Sequence, residues 1–443
     1  MTRPDKLLLG LGVALVLASR IYAFHLMPYP SEDALIAFRV ARNLAAGLGP
    51  YYNPGEYVGS VTSLPWTFAL AAGYLLNLPY IAWARGLSLI CDAVTLWAAW
   101  KILKERAWIF AVAFSLPIFS AATASGLETP AVVAALVASC RWPVHGVLAA
   151  LRPEGLVAAA VLAKDRRSWV SLCVGAAISL GAAVVLYGHL FPTALAKAEV
   201  YGVHWFGGAW WLAPLMPWAI GCPVGMIQAL NCLGLFATIG LVYGIGRKTL
   251  RLALVSVGAL IAYAVAGTAG FWWYAVPWLA GVALVCAQGM PNIVRRPVVA
   301  GVFAAVFLLL GWRGWAKVNA YGLSEEPMMQ AANYLSGSKG SIFLEPAGFI
   351  GFSAPEMRVI DEVGLITPWV AHRRATGGPG WWSDAMRKYK PDYILVRSNF
   401  LLNGQAFAGA GDAFRDEADA KTTGSYIAKQ QFGNLVLLKR SVP

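Results

Sequence analysis

Along this chain, apolar residues run on for roughly 17–25 positions at a time, the length at which a helix crosses a hydrocarbon layer of ~30 Å. Backbone inside lipid has no partner but itself, so stretches of this kind must be helical. Hydropathy places spans near 7–24, 61–78, 82–100, 107–123, 127–140, 143–163, 169–190, 222–246, 250–268, 271–289 and 297–316, about eleven in all. Composition agrees, since 58% of the 443 residues are apolar and only 13% are charged, outside the usual soluble range. The expected fold class is an α-helical multi-pass membrane protein. No small-residue cleavage site follows Leu7–Phe24, which reads as a retained helix.

The net charge of +13 is scattered over short loops, with no basic tract interleaved with aromatics to support nucleic-acid binding. In a membrane chain such residues report topology and contact with lipid headgroups. Arg3 and Lys6 argue for a cytoplasmic start, which makes residues 25–60 a first outer loop. The basic loops at 164–167, 247–251 and 295–296 then fall inside. Lys101, Lys104 and Arg106 do not, and a half-length or re-entrant segment between 78 and 160 would repair that count. Residues 191–217, rich in proline and carrying Trp205, Trp210 and Trp211, read as a second outer loop on the membrane surface. The six cysteines lie in or beside apolar stretches without CxxC spacing, as packing residues do. His25, His145, His189 and His372 show no metal-ligand spacing.

The character changes near Lys317. Residues 1–316 form the membrane part, and the last about 125 residues, 317–443, suffice for one small α/β domain. Strands are expected at Ser341–Leu344 and Tyr393–Val396, and a helix at Glu326–Leu335. An odd number of spans puts this domain on the outer side.

Chemistry is sought where charge is scarce and conspicuous. Pro30-Ser31-Glu32-Asp33 sets two adjacent carboxylates at the end of the first span. Ser31 can cap a helix with Glu32 and Asp33 in its first turn, and Gly47 and Gly49 can end it. Leu35, Phe38, Ala41, Ala45 and Leu48 form a stripe that can lie on the membrane. Glu32, Arg39 and Asn43 share another face. The alternative is that the acids only favour the helix start. Arg152 and Glu154 interrupt two apolar runs beside Pro153; polar groups at that depth face a cavity or one another. Arg152 is either a ligand-binding cation or half of an ion pair holding a helix break. Lys197 in the second outer loop is either a phosphate-neutralising cation or a snorkelling lysine. Glu128 and the pair Tyr201 and His204 are weaker candidates, the last two near where a sugar could stack. Asp92 with Arg85 reads as a helix-packing ion pair, Asp361 as a turn former, and Trp381, Trp382 and Tyr389 as a packed aromatic cluster more readily than a sugar platform.

The run Glu32–Gly49 (EDALIAFRVARNLAAGLG) followed by Asn53-Pro54-Gly55-Glu56 resembles the first outer loop of GT-C glycosyltransferases, nearest the bacterial arabinofuranosyltransferase-like and mannosyltransferase-like members. Ser125-Gly126-Leu127-Glu128-Thr129, Leu151-Arg152-Pro153-Glu154-Gly155, Phe191-Pro192-Thr193 with Lys197, and Asp361-Glu362-Val363-Gly364-Leu365 follow in the same order. Thr193 stands where that family often has Asn. The resemblance implies a GT-C-like fold and an inverting transferase of the bacterial cytoplasmic membrane, with its C-terminal domain extracytoplasmic. It would use a polyprenyl-phosphate sugar donor and a glycan or lipid acceptor. Asp33 would take the proton of the acceptor hydroxyl, with Glu32 as alternative or partner. Arg39, Arg42, Glu128, Arg152, Glu154, Lys197, Tyr201 and His204 would bind substrate. A divalent cation, Mg or Mn, is a possible cofactor, held by Asp33 and Glu32 if by anything. The rival reading is a transporter or flippase of lipid-linked sugars, which calls for matched helix breaks in two halves; one main break is visible, at Arg152-Pro153. A scaffold with a decayed site is the third reading.

Overall fold

The computed structural model describes residues 3–190, 246, 249–266, 271–289, 297–344, 347–377, 380–398, 401–402, 405–406 and 425–441. The expected outer loop at 191–217 and nearly all of the span at 222–246 lie outside the described residues.

Among the described residues, three helical runs are long and apolar enough to cross a bilayer: Asp5–Leu26, Tyr80–Phe114 and Arg166–Tyr187. A bent pair makes a possible fourth. Among these residues that is fewer than the stretches hydropathy marks, because several apolar stretches are broken by proline or charge. The stretch at 107–123 divides at Pro117 into α5 (Ala107–Phe114) and α6 (Pro117–Ala124), and 143–163 divides at Arg152 into α8 (His145–Leu151) and α9 (Pro153–Leu162). The stretch at 61–78 yields only the 12-residue α3 (Leu64–Leu75). The chain reverses by 118° between α6 and α7 (Thr129–Ser139). That is a half-length, turning segment inside 78–160, where the misplaced basic loop called for one. Gly126 makes the reversal, with φ +81; a Cβ there would press on Phe38 and Ala34 of the next helix.

One expected ion pair is corrected. Asp92, on α4 (Tyr80–Leu103), is held not by Arg85 but by Arg20 of α1 (Arg3–Leu26), Nε to Oδ2 2.8 Å. Arg85 turns the other way, donating to the carbonyl of Met27 and lying 4.9 Å from the Phe24 ring centre. A span-crossing pair is available only once α1 and α4 are brought together, which spacing along one helix cannot reveal.

The helix Pro297–Ser324 runs through the expected boundary near 316 and leads at once into Glu326–Leu335. Beyond it stands a five-stranded sheet in the order β2-β1-β3-β7-β6, built from β1 (Gly340–Leu344), β2 (Met357–Asp361), β3 (Tyr393–Arg397), β6 (Tyr426–Phe432) and β7 (Leu435–Arg440). A short hairpin, β4 (Leu401–Leu402) with β5 (Gln405–Ala406), stands apart. β1 pairs in parallel with β2 and β3, the arrangement that buries both faces of a strand. Alternate residues accordingly serve two cores. Phe343, Ile360 and Ile394 pack on Trp382, while Ile342, Val359 and Leu395 pack toward α2 (Glu32–Ala45). Trp381 and Trp382 are buried in the first of these cores, so they are packing residues and not an open sugar platform.

α2 is therefore not laid on the membrane. Leu35, Phe38 and Ala41 are buried, all three in the core shared with α3 and the C-terminal domain. Only Leu48 of the expected stripe is strongly exposed. The amphipathic pattern is real, but protein rather than lipid covers it. Gly47, at φ +74, ends the helix as expected.

Candidate functional site

The first turn of α2 is wedged between two reversals of the chain. Ser31 occupies the N-cap position without capping; its amide donates to the carbonyl of Ser125 at 2.9 Å, tying the helix start to the α6–α7 turn. From the other side comes the helix Gly348–Ser353, whose Gly348 amide donates to the Glu32 carboxyl. A Cβ at Gly348 would lie 2.0 Å from the carbonyl oxygen of Glu32, so glycine is required for this approach. Burial, and then the charge of Asp33, push Glu32 well above the usual carboxylate range, against the pull of the Gly348 amide.

Two turns further on, α2 does something different. Arg39 is 1% exposed, and its guanidinium donates to the carbonyls of Tyr52 (2.9 Å), Gly351 (2.8 Å) and Met357 (2.8 Å) and to Asn53 Oδ1 (3.3 Å). Arg42 donates to the Phe352 carbonyl at 2.8 Å and lies over that ring. Asn53 both accepts from the Val359 amide and donates to its carbonyl, as a neighbouring strand would. Arg39 and Arg42, expected to bind substrate, line neither cavity described below. They fasten α2 and the Asn53–Glu56 turn to the C-terminal domain, mostly through backbone carbonyls, with Arg42 Nη2 left without a partner.

Arg152 is held in extended backbone (φ −153, ψ 148) by the proline after it, which opens the break between α8 and α9. Its Nε lies 3.1 Å from Glu128 Oε1 and 3.5 Å from Glu154 Oε1. Neither contact has hydrogen-bond geometry, and Nε and Nη1 are buried without a hydrogen-bond partner. The Tyr274 ring lies 4.7 Å away under the guanidinium, and Tyr263 donates to Glu154 at 2.9 Å. Glu128, at the N-cap of α7, makes no cap bond; its carboxylate is turned to Arg152. The structure thus brings Arg152, Glu128 and Glu154 together.

Two cavities meet at Asp33. A chamber of about 370 Å³ is lined by Glu32, Asp33, Tyr321, Glu325, Asp361 and Arg397, among others. A cleft of about 40 Å³ is lined by Asp33, Glu128, Arg152 and Tyr274. Asp33, Trp273 and Leu365 border both. Asp361 shapes the wall, as a turn former does: its carboxylate accepts the amides of Leu365, Ile366 and Thr367 at 2.6, 3.0 and 2.7 Å. Burial nonetheless pushes Asp361 above its ordinary value. Glu325 escaped the sequence reading, although a related signal marks it: paired carboxylates, Glu325-Glu326, a few residues after the last expected span. Burial pushes it to about 7, with the charge of Asp33 adding to the effect and a hydrogen bond from Tyr321 opposing it.

Among the described residues, no group of three or more His, Cys, Asp or Glu side chains is placed to hold a metal ion. Glu32 and Asp33, the acids expected to hold one, belong to no such group. Lys197, Tyr201 and His204 lie outside the described residues.

Comparison with known proteins adds three findings. A family described as Domain of unknown function (DUF8728) matches residues 317–438. A terminal beta-(1->2)-arabinofuranosyltransferase of Mycobacterium tuberculosis is 49% identical over 43 residues, which is 10% of this chain and only 7% of that protein. The crystal structure of ArnT from Cupriavidus metallidurans bound to undecaprenyl phosphate superposes with a TM-score of 0.60 over 97% of each chain, at 12% identity. At that identity the likeness is one of fold. With its apolar helices the chain is a membrane protein, and its fold is that of this neighbour, the GT-C architecture that the motif Glu32–Gly49 led us to expect.

Proposed function

We propose that this chain is an inverting glycosyltransferase that moves a sugar from a polyprenyl-phosphate donor to a glycan or lipid acceptor at the outer face of the bacterial cytoplasmic membrane. One observation carries the reading: Asp33 borders both the chamber and the cleft that holds a buried guanidinium with unfilled hydrogen bonds. A transfer of this kind needs both groups. The acceptor hydroxyl must lose its proton as its oxygen attacks the anomeric carbon, and a placed carboxylate is worth about 10²–10⁴-fold in that step. The departing lipid phosphate gathers negative charge, and fixed donors in a dry site are the strongest means of stabilising it. Asp33 takes the proton. Arg152 faces the phosphate, with Glu128 and Glu154 orienting it. Glu32, whose protonated form burial favours, is less suited to act as the base.

The test is transfer by Asp33→Asn and wild-type protein in membranes, supplied with a panel of polyprenyl-phosphate sugars. Loss of transfer at equal expression, with an inverted anomeric configuration in the wild-type product, supports the reading. Full activity of Asp33→Asn sinks the assignment. Reaction-free movement of labelled lipid-linked sugar across the bilayer would point to a transporter instead.

A further inference from the structure

Glu325 stands where the helix Pro297–Ser324 hands over to Glu326–Leu335, at the N-cap position of the second. A carboxylate there could serve the helix alone, yet its side chain makes no cap hydrogen bond. It forms no salt bridge among the described residues either. It lines the chamber opposite the helix that carries Glu32 and Asp33, with Tyr321, one turn back, bonded to it. A carboxyl is thus kept in a partly desolvated place, facing two others, with no ion pair to offset the cost.

Resting on the transferase reading, we propose that Glu325 is a positioning residue for the transferred proton, taking it from Asp33 after each reaction and returning Asp33 to its basic form. In the first step the acceptor oxygen bonds to the anomeric carbon. The bond from that carbon to the phosphate oxygen breaks with its electron pair going to the phosphate, and the hydroxyl proton moves to Asp33. In the second the proton passes from Asp33 to Glu325, and from there to solvent. A group that changes protonation state at about 7 can do both parts of this near neutrality. The charged or titratable groups around it are Glu32 and Asp33 on α2, Tyr321 on the membrane helix, Asp361 at the end of β2 and Arg397 at the end of β3. The charge of Asp33 favours the proton on Glu325, and the Tyr321 hydrogen bond favours its release.

Glu325→Gln keeps the shape and removes the titration. It is expected to lower kcat about tenfold or more with KM for the donor little changed, and to abolish the limb of the pH–rate profile near neutrality. Glu325→Asp should keep that limb, and Tyr321→Phe should move it to higher pH without removing it. A second reading needs no turnover: in infrared titration of the purified full chain, a protonated-carboxyl band should disappear near neutrality in wild type and Asp33→Asn but be missing from Glu325→Gln. An active wild type whose pH limb survives Glu325→Gln overturns the relay alone, as does an unaltered carboxyl band. A wild type that transfers from none of the donors overturns the transferase reading, and the relay with it.

Discussion

Two buried arginines in this protein sit beside buried carboxylates, and their surroundings differ. Arg20 gives Nε to Asp92, and Nη1 to Ser19, to the Phe114 carbonyl and to Ser120. Asp92 in turn accepts from Thr123 at 2.8 Å. Only Nη2 is left over. This cluster joins α1, α4 and the α5–α6 corner, and borders neither the chamber nor the cleft. Arg152 has carboxylates on either side but two nitrogens without hydrogen bonds, and it borders the cleft that reaches Asp33. Both pairs carry the same desolvation cost. The closed cluster offsets it internally and is structural. The open one leaves two buried donors without a hydrogen bond.

That contrast can be broken by exchange. Arg20→Met strands Asp92 as an unpaired buried acid and should cost about 3–5 kcal/mol, read as a fall in thermal stability in detergent. Adding Asp92→Leu should recover most of it, because a dry hydrophobic pair of similar volume is often neutral. Arg152→Met should instead lower transfer by about 10²–10³-fold. Adding Glu128→Gln should repair whatever stability is lost and leave transfer low. Recovery of transfer in that double variant would make Arg152 structural, like Arg20.

The fastening arginine on α2 gives a third point on the scale. Arg39→Lys removes the planar fork and should cost about 1.5–3 kcal/mol, seen as faster proteolysis between membrane part and C-terminal domain. The smallest effect is expected at Glu325. Its value in the folded protein is about 7 against an ordinary 4.5, so folding favours its protonated form. Stability from this group is complete below about 4.5 and is lost as pH rises through 7. Glu325→Gln should therefore be neutral in acid and stabilising above neutrality, by on the order of 1 kcal/mol after allowance for its partial exposure. A stabilisation confined to low pH would contradict the sign.

Much of this was legible in the residues, and the failures have physical reasons. Strands β1 and β3 and the helix Glu326–Leu335 follow from local pattern. The break at Arg152-Pro153 follows from proline sterics and the cost of charge at depth. Among the described residues fewer helices qualify as spans than hydropathy marks, because hydropathy measures transfer to an apolar medium and cannot tell lipid from protein. Short, broken helices such as α6 and α7 satisfy it from inside the protein. For the same reason the stripe on α2 was assigned to the membrane when it is covered by α3 and the helix Gly348–Ser353. Arg39 was grouped with Glu32 because they share a helix face, but seven residues of rise carry it out of the chamber and into the backbone of another domain.

What the sequence alone determined is the medium and the acids: a chain this apolar must be helical in lipid, and adjacent carboxylates at a helix start are conspicuous because charge is so scarce. Which charges are closed and which are open was decided only by tertiary structure. Arg20 finds Asp92 across 72 residues, Gly348 reaches Glu32 across 316, and Glu325 joins the Glu32–Asp33 pair from the far end of the membrane part. A hydrogen bond is satisfied by proximity in space, and sequence spacing reports proximity only within a single helix or strand.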